Sequence, residues 1–239
     1  MDGIVPFSRS MDHPGFFAAS PDEIASVMAV LDPHWRHVSL PRTLRLALPT
    51  GKYLHCSLPQ SASWLRIRTE AIAARLEKQG CFLELVELPC LDDIDELRTR
   101  HELLIAAEAA QVHLEWFARF APLYRPQTAA LIERGRKATR EEVEAARDSR
   151  LELRQRLHEL MEEHAVDFWL SPSSVGEADT TLCGTGSPIM NLPWTHAGLP
   201  SLNLPLSRGV QGLPLGAQLV GGFGKDEEVL AAGMAMWMT

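Results

Sequence analysis

The sequence lacks the cysteine patterns and the leader that mark several protein classes. It contains four cysteines, and no two of them form a CxxC pair, so neither a zinc ribbon nor a thioredoxin-type motif is indicated. The first residues lack a basic stretch followed by an apolar run, which a secretory signal would have. We therefore expect a cytoplasmic protein with reduced thiols at Cys56, Cys81, Cys90 and Cys183.

Positive charge and long apolar runs are also scarce. The 23 Lys and Arg residues against 31 Asp and Glu residues give a net charge of −8, which would repel a phosphate backbone. No apolar run approaches the roughly 20 residues that cross a bilayer. We expect neither a nucleic-acid partner nor a membrane span.

No common cofactor, metal or hydrolase motif is complete. The glycine-rich stretch 221–225 is followed by Asp226, where a phosphate-binding loop needs Ser or Thr. His101 and His158 each precede a glutamate, but neither is followed four residues later by the second histidine of a zinc helix. Gly-x-Ser-x-Gly is absent too. With 239 residues, 46% of them hydrophobic, the chain can bury a core unaided, and we expect no cofactor and no metal.

The first half of the chain carries an α/β pattern. Ser20 and Pro21 predict a capped helix that ends at Asp32, because a residue before proline disfavours helical geometry. Leucines alternate from Leu44 to Leu48 and predict a strand, residues 61–79 predict a helix ending at Gly80, and 81–88 predict a second strand. This order predicts a right-handed parallel crossover.

The second half is helical and then rich in glycine and proline. Residues from about 91 to 164 predict a helical stretch, with Asp92 as a cap and a capping box at Thr139. Buried strands are predicted at 166–170, where Ser171 and Pro172 end the strand, and at 202–206 and 215–220. The last predicted helix, Asp226 to Met238, has four apolar residues on one side: Val229, Leu230, Met234 and Trp237.

Four motifs near the end of the chain are more specific than this pattern. They are Ser171-Pro172-Ser173-Ser174, the stretch from Thr185 to Thr195 (TGSPIMNLPWT), the stretch from Gly198 to Pro205 (GLPSLNLP) and the stretch from Gly212 to Gly221 (GLPLGAQLVG). Their order closely resembles the C-terminal part of the amidase signature family. Val5 to Gly15 is similar to the segment that follows the family's nucleophile loop, and the resemblance is weakest between Val38 and Gln127.

The resemblance implies an α/β fold with a mixed central sheet covered by helices and incomplete at its N-terminal side, in one partial domain over residues 1–239. It implies hydrolysis of a carboxylic amide C–N bond by a Ser, cis-Ser, Lys triad. The family carries that triad upstream of the segment that begins this chain, so we assign no catalytic residue here.

Five residues are expected to border a substrate pocket in an intact relative. By the resemblance, Asp12 and His13 lie in the loop after the nucleophile segment, and Thr185, Asn191 and Trp194 lie in the region that faces it. Local backbone bonding by Asn and Thr, and packing by Trp, are the competing interpretations. The implied ligand is a small-molecule amide.

Two other interpretations stay open. The chain could be a catalytically inactive fragment or pseudoenzyme that binds a ligand or pairs with another chain through an exposed sheet edge. It could also be an unrelated hydrolase that uses Cys183, with His196, or a carboxylate pair.

Overall fold

A mixed five-stranded sheet forms the centre of the molecule. The computed structural model describes residues 3–40, 43–76, 81–179 and 184–237, and side chains 75 and 76 are not described. The strands are β1 (Leu44–Thr50), β2 (Cys81–Glu87), β3 (Phe168–Pro172), β4 (Ser201–Arg208) and β5 (Pro214–Val220). Their order in the sheet is β2-β1-β3-β5-β4.

The strand directions follow the connections. β1 pairs in parallel with β2 over its whole length and with β3 at Leu46 and Ala47. β5 is antiparallel to β3 and to β4, as expected for the short hairpin between β4 and β5. The predicted parallel pairing of β1 and β2 is confirmed, and so is the mixed sheet.

Nine α-helices are found within the described ranges. They are α1 (Pro21–Leu31), α2 (Lys52–His55), α3 (Pro59–Leu76), α4 (Ile94–Val112), α5 (Leu114–Phe120), α6 (Pro126–Lys137), α7 (Arg140–Glu163), α8 (Leu192–Ala197) and α9 (Asp226–Trp237). In the part of the chain that is described, no helix is both long and apolar enough to span a membrane.

Alternation along the strands divides the core between the two faces of the sheet. Ala47 and Trp169 pack on one face with apolar residues of α4, α7 and α8. Leu46 and Leu170 point to the other face, where α3 and α9 cover them. β3 is buried on both faces, which explains its continuous apolar sequence.

Several predicted boundaries need correction. Asp93, not Asp92, caps α4, and its side chain accepts from the Glu96 amide at 3.0 Å. A 3₁₀ turn over Pro89–Leu91 ends at Asp92 and moves the helix start by one residue. The stretch predicted as helical from 91 to 164 is four successive helices, broken at His113, at a 3₁₀ turn over Ala121–Leu123 and before Thr139.

The ends of other elements also differ. Thr50 belongs to β1, and β3 begins at Phe168 and includes Ser171 and Pro172, which were expected to end it. In α9 the buried residue near the end is Met236, whereas Trp237 is 36% exposed. The predicted ends at Gly80 and Met238 lie outside the described residues.

Candidate functional site

The short helix α8 presents Asn191 and Trp194 at the carboxyl end of β3. Asn191 is its N-cap, and Gly198 ends it in the left-handed conformation, with φ of 71°. Two arginines of α7 hold the last turn: Arg150 Nε donates to the His196 carbonyl at 2.9 Å, and Arg154 Nε donates to the Ala197 carbonyl at 2.7 Å. These bonds satisfy carbonyls that a helix end leaves open.

A buried hydrogen-bond network supports the segment leading into α8. Tyr53 Oη donates to the Met190 carbonyl at 2.7 Å and accepts from Trp194 Nε1 at 3.1 Å. Gln218 Nε2 donates to the same Met190 carbonyl at 2.7 Å and to the Pro172 carbonyl at 3.1 Å. Burial raises the pKa of the Tyr53 hydroxyl, which therefore stays protonated as a donor. The network ties α2, β3, β5 and α8 together.

Trp194 is part of this support. Its side chain is buried, and its ring meets Tyr53 edge to face, with centroids 5.7 Å apart. This is the packing geometry that aromatic pairs prefer. In this structure Trp194 holds α8 from beneath and does not line an open surface.

Neutral polar groups converge above this network. Asn191 is exposed, and its Nδ2 donates to the Ser173 carbonyl at 3.2 Å, while the Ser173 amide donates to the Gly216 carbonyl at 3.1 Å. A Cβ on Gly216 would overlap both Asn203 Oδ1 and Ser173 Oγ. The missing side chain at Gly216 therefore leaves the space that these two polar groups occupy at the end of the sheet.

Asp12 and His13 lie on the N-terminal loop. The Asp12 carboxylate accepts from the Phe7 amide at 2.7 Å and from the Ser8 amide at 3.0 Å, so it closes its own turn. His13 is exposed, and its Nδ1 lies 2.9 Å from the Met11 carbonyl. Because a carbonyl only accepts, this nitrogen carries the proton, and Nε2 is left as the acceptor in the neutral ring.

Thr185 lies in an exposed stretch that runs from Gly184 to Pro188. The stretch leads to the Met190 carbonyl and then to α8. Asn191 and Trp194 are thus brought together on one element, and Thr185 is on the segment that enters it. The N-terminal loop is bonded to α4 instead, because the Ser8 hydroxyl and the Ser10 amide both donate to Glu108.

A buried Ser–His–His line beside α8 resembles a catalytic arrangement but is structural. The Ser149 hydroxyl lies 2.9 Å from the Ala146 carbonyl, which it can only donate to, so it accepts from His196 Nε2 at 3.0 Å. His196 Nδ1 then accepts from His101 Nδ1 at 3.3 Å. The hydroxyl proton is already donated to a helix carbonyl, so Ser149 is not activated as a nucleophile.

Burial and nearby positive groups keep both histidines neutral. Desolvation, followed by His101 and Arg150, lowers the pKa of His196 to about 3, and desolvation also lowers the pKa of His101. His196 is engaged by this line, while Cys183, its partner in the alternative hydrolase hypothesis, lies outside the described residues. Among the residues that the structure describes, no three His, Cys, Asp or Glu side chains are grouped to hold a metal ion.

Sequence reasoning missed the residues of the buried hydrogen-bond network that supports α8. Gln218 stands within the last quoted motif, and Ser171 within the first, but neither was selected. Tyr53 follows the turn after β1, where no local pattern reveals that its hydroxyl reaches residues 137 positions away. A polar residue inside an apolar strand, such as Gln218, is the signal that could have pointed to a buried network.

These features define an α/β protein in which a glycine- and proline-rich loop and a short helix overlie the end of the central strand. The Amidase family model matches residues 1–230, and the chain belongs to this family. A curated relative, a glutamyl-tRNA(Gln) amidotransferase subunit from Rhodospirillum rubrum, is 46% identical over 78 residues, which cover 30% of this chain and 16% of that protein.

Solved structures share the fold. One is described as the crystal structure of an amidase and is 25% identical with a TM-score of 0.77. The match covers 97% of this chain and 54% of that protein's chain. Native peptide amidase from Stenotrophomonas maltophilia is 19% identical with a TM-score of 0.71, with 99% and 55% covered. A third, described as a vestigial protein complex that reveals the origins of an s-triazine catabolic enzyme, is 21% identical with a TM-score of 0.75, with 98% and 55% covered. The chain spans about half the length of these solved relatives, so its fold is part of theirs.

Proposed function

We propose that this chain is the C-terminal portion of an amide hydrolase and forms one wall of its substrate pocket. The observation that carries the proposal is the family match over residues 1–230. The amidase fold, with a TM-score of 0.77 to one solved amidase, supports it. The substrate is a small-molecule carboxylic amide, and the reaction breaks its C–N bond.

The polar groups at the end of β3 suit such a substrate. Asn191 is exposed on the wall, and Ser173 and Asn203 converge beside it. Amide and hydroxyl groups both donate and accept, so they can bind a neutral carboxamide without burying a charge. We place Thr185 on the same wall, Trp194 beneath it, and Asp12 and His13 on the facing loop.

The reacting groups are proposed to lie outside residues 1–239. Amide hydrolysis by this family's chemistry needs a serine nucleophile, a bridging cis-serine, a neutral lysine base and backbone donors for the oxyanion. The Ser149–His196–His101 line does not replace them, because its proton is committed to a helix carbonyl. The coverage of 54% of a solved relative leaves room for such a segment.

The test uses the protein as its native source makes it. The gene is tagged at its own locus, and the product is weighed by intact mass spectrometry, treated with a fluorophosphonate probe and assayed for ammonia release from a panel of small amides. We expect a mass above 26.5 kDa, labelling of a serine outside this chain, and ammonia release that the probe abolishes.

Substitutions in the wall extend this test. Asn191→Ala should lower kcat/KM by about tenfold, since it removes a substrate-facing amide. Gln211→Ala, at an exposed position of the β4–β5 hairpin, should leave kcat/KM unchanged. A product that neither reacts with the probe nor releases ammonia would overturn the hydrolase proposal.

That negative result would favour a second candidate, an inactive module that pairs with another chain. Edge strand β2 supports this alternative, because it leaves Phe82 and Leu85 55% and 58% exposed. We also propose a cytoplasmic location. The three described cysteines, Cys56, Cys81 and Cys90, are free thiols, as a reducing compartment would keep them.

A further inference from the structure

Glu108 on α4 holds the N-terminal loop through one carboxylate oxygen. Its Oε2 accepts from the Ser8 hydroxyl at 2.8 Å and from the Ser10 amide at 3.0 Å. Glu108 and Ser8 are both buried, at 6% and 2% exposure. Two donors of the loop therefore depend on one oxygen of a buried carboxylate.

The charge of Glu108 is compensated from the other side. Arg147 on α7 lies 3.6 Å from Oε1, the oxygen that does not face the loop. A buried carboxylate is costly unless it is paired and hydrogen-bonded. The two oxygens thus have separate tasks: one binds the loop, and the other faces the arginine.

Hydrogen bonds join the rest of the loop to Ser8. The Met11 and Asp12 amides donate to the Ser8 carbonyl at 2.8 and 2.7 Å, and the Asp12 carboxylate returns to the Phe7 and Ser8 amides. His13 follows directly and is bonded to the Met11 carbonyl. The bond from Ser8 to Glu108 on α4 therefore also sets the position of the His13 ring.

We propose that Glu108 is a positioning residue for the substrate pocket. It acts through Ser8 and Ser10 and sets the place of Asp12 and His13. This inference rests on the proposed amide hydrolase function, because that function gives the loop its place at the pocket. Glu108 itself touches no substrate.

Two substitutions separate the acceptor from the charge. Glu108→Ala removes the acceptor and leaves both loop donors unpaired. Glu108→Gln keeps a carbonyl oxygen of the same reach for Ser8 and Ser10, and loses the negative charge that acts on Arg147 and Arg150. Glu102→Ala is the matched control, since Glu102 is on the same helix but pairs with Arg134 at the surface.

The experiment measures hydrogen exchange of the peptide covering residues 7–13 and the steady-state kinetics of the native full-length product. Glu108→Ala should raise exchange in this peptide by about tenfold, with peptides from β3 and β5 unchanged. It should also raise KM by about tenfold and leave kcat within about twofold. Glu108→Gln and Glu102→Ala should both match the parent.

The outcomes distinguish the two proposals. Unchanged exchange in Glu108→Ala would overturn the anchoring, and raised exchange with unchanged KM would overturn the positioning role while the hydrolase function stands. A parent that hydrolyses no amide contradicts the proposed function, and the positioning role falls with it; the exchange data then test only whether Glu108 anchors the loop. A Glu108→Gln variant that behaves like Glu108→Ala would overturn the acceptor's role, because the charge would then be what holds the loop.

Discussion

At the scale of single residues, the hydrogen bonds of a buried polar side chain fix its protonation state. His196 is fully buried, and Ser149 and His101 take up its two ring nitrogens. His196 can satisfy this line only in its neutral form, because a proton on its Nδ1 would face the His101 Nδ1 donor. Protonation must therefore oppose folding.

The first prediction is a loss of stability in mild acid. The pKa of His196 is lowered from 6.5 to about 3 in the folded protein, so below pH 6.5 the unfolded chain binds a proton that the folded chain does not. The free energy of unfolding is then highest above pH 6.5 and falls as the pH drops toward 3. Between pH 7.5 and 5, His196 should cost about 2 kcal/mol.

Urea unfolding at pH 7.5 and pH 5 measures this difference. His196→Gln keeps hydrogen-bonding groups but cannot titrate, so its loss between the two pH values should be smaller by about 2 kcal/mol. His37→Gln removes an exposed histidine and should behave as the parent does. An equal loss in the parent and in His196→Gln would rule out this source of acid sensitivity.

At the scale of elements, the contact between α4 and α6 depends on a glycine. A Cβ on Gly135 would overlap the Ala106 carbonyl oxygen, which belongs to the backbone and cannot rotate away. The two helices thus approach closely enough that no side chain fits between them. Arg134 and Glu102 close the rim of the same contact, with 3.1 Å between Nη1 and Oε2.

The second prediction is that Gly135→Ala destabilises the protein. Helix propensity alone favours Ala over Gly by up to about 1 kcal/mol. A net loss in the free energy of unfolding would therefore be due to the packing of the two helices. We expect the free energy of unfolding to fall by about 1–3 kcal/mol, the usual effect of overpacking. Gly15→Ala, where nothing lies within 4 Å of the added carbon, should change stability little. A stabilised Gly135→Ala variant would show that the helices separate freely.

The same scale shows how far the sequence predicts this fold. Strands and capped helices were predictable because their signals are local: alternating leucines for β1, and the capping box at Thr139, where the Glu142 amide donates to Oγ1 at 3.2 Å. The order of the four C-terminal motifs indicated the family as well. The approach of Gly135 to Ala106, and the hydroxyl of Tyr53 at Met190, join distant parts of the chain, so no local pattern encodes them.

The residues of the candidate site divide in the same way, into those indicated by local motifs and those placed by contacts between distant parts of the chain. Asn191 and Trp194 were selected from motifs, and α8 brings them together. Gln218 and Tyr53 were not selected, because their hydrogen bonds depend on which strands become neighbours in the sheet. Trp194 shows the limit of motif reasoning, since it is buried against residues distant in the sequence, Tyr53 among them.

At the scale of the whole molecule, the two edges of the described sheet differ. β4 has a register shift between Pro205 and Ser207, and both proline and irregular pairing protect an edge from further strands. β2 is regularly paired along its inner side and exposes Phe82 and Leu85. We therefore expect another chain or segment to add at β2 rather than at β4.

The third prediction is that residues 1–239 expressed alone associate with themselves through β2 and are poorly soluble. Leu85→Lys places a charge on this edge and should shift the sedimentation coefficient toward that of a monomer, because charged edge strands resist pairing. Leu123→Lys is the matched control, since Leu123 is 81% exposed but lies among the helices. Sedimentation velocity at several concentrations makes the comparison.

A monomeric parent with a reversible, concentration-independent melt would contradict this prediction, and so would equal improvement by both lysine variants. The net charge of −8 works against non-specific association. Added salt therefore distinguishes association by strand pairing from non-specific association. Pairing of strands persists when charges are screened, whereas repulsion that had kept monomers apart is weakened. If the parent stays associated at high salt, and if Leu85→Lys restores a monomer at low salt while Leu123→Lys does not, the edge itself is the interface.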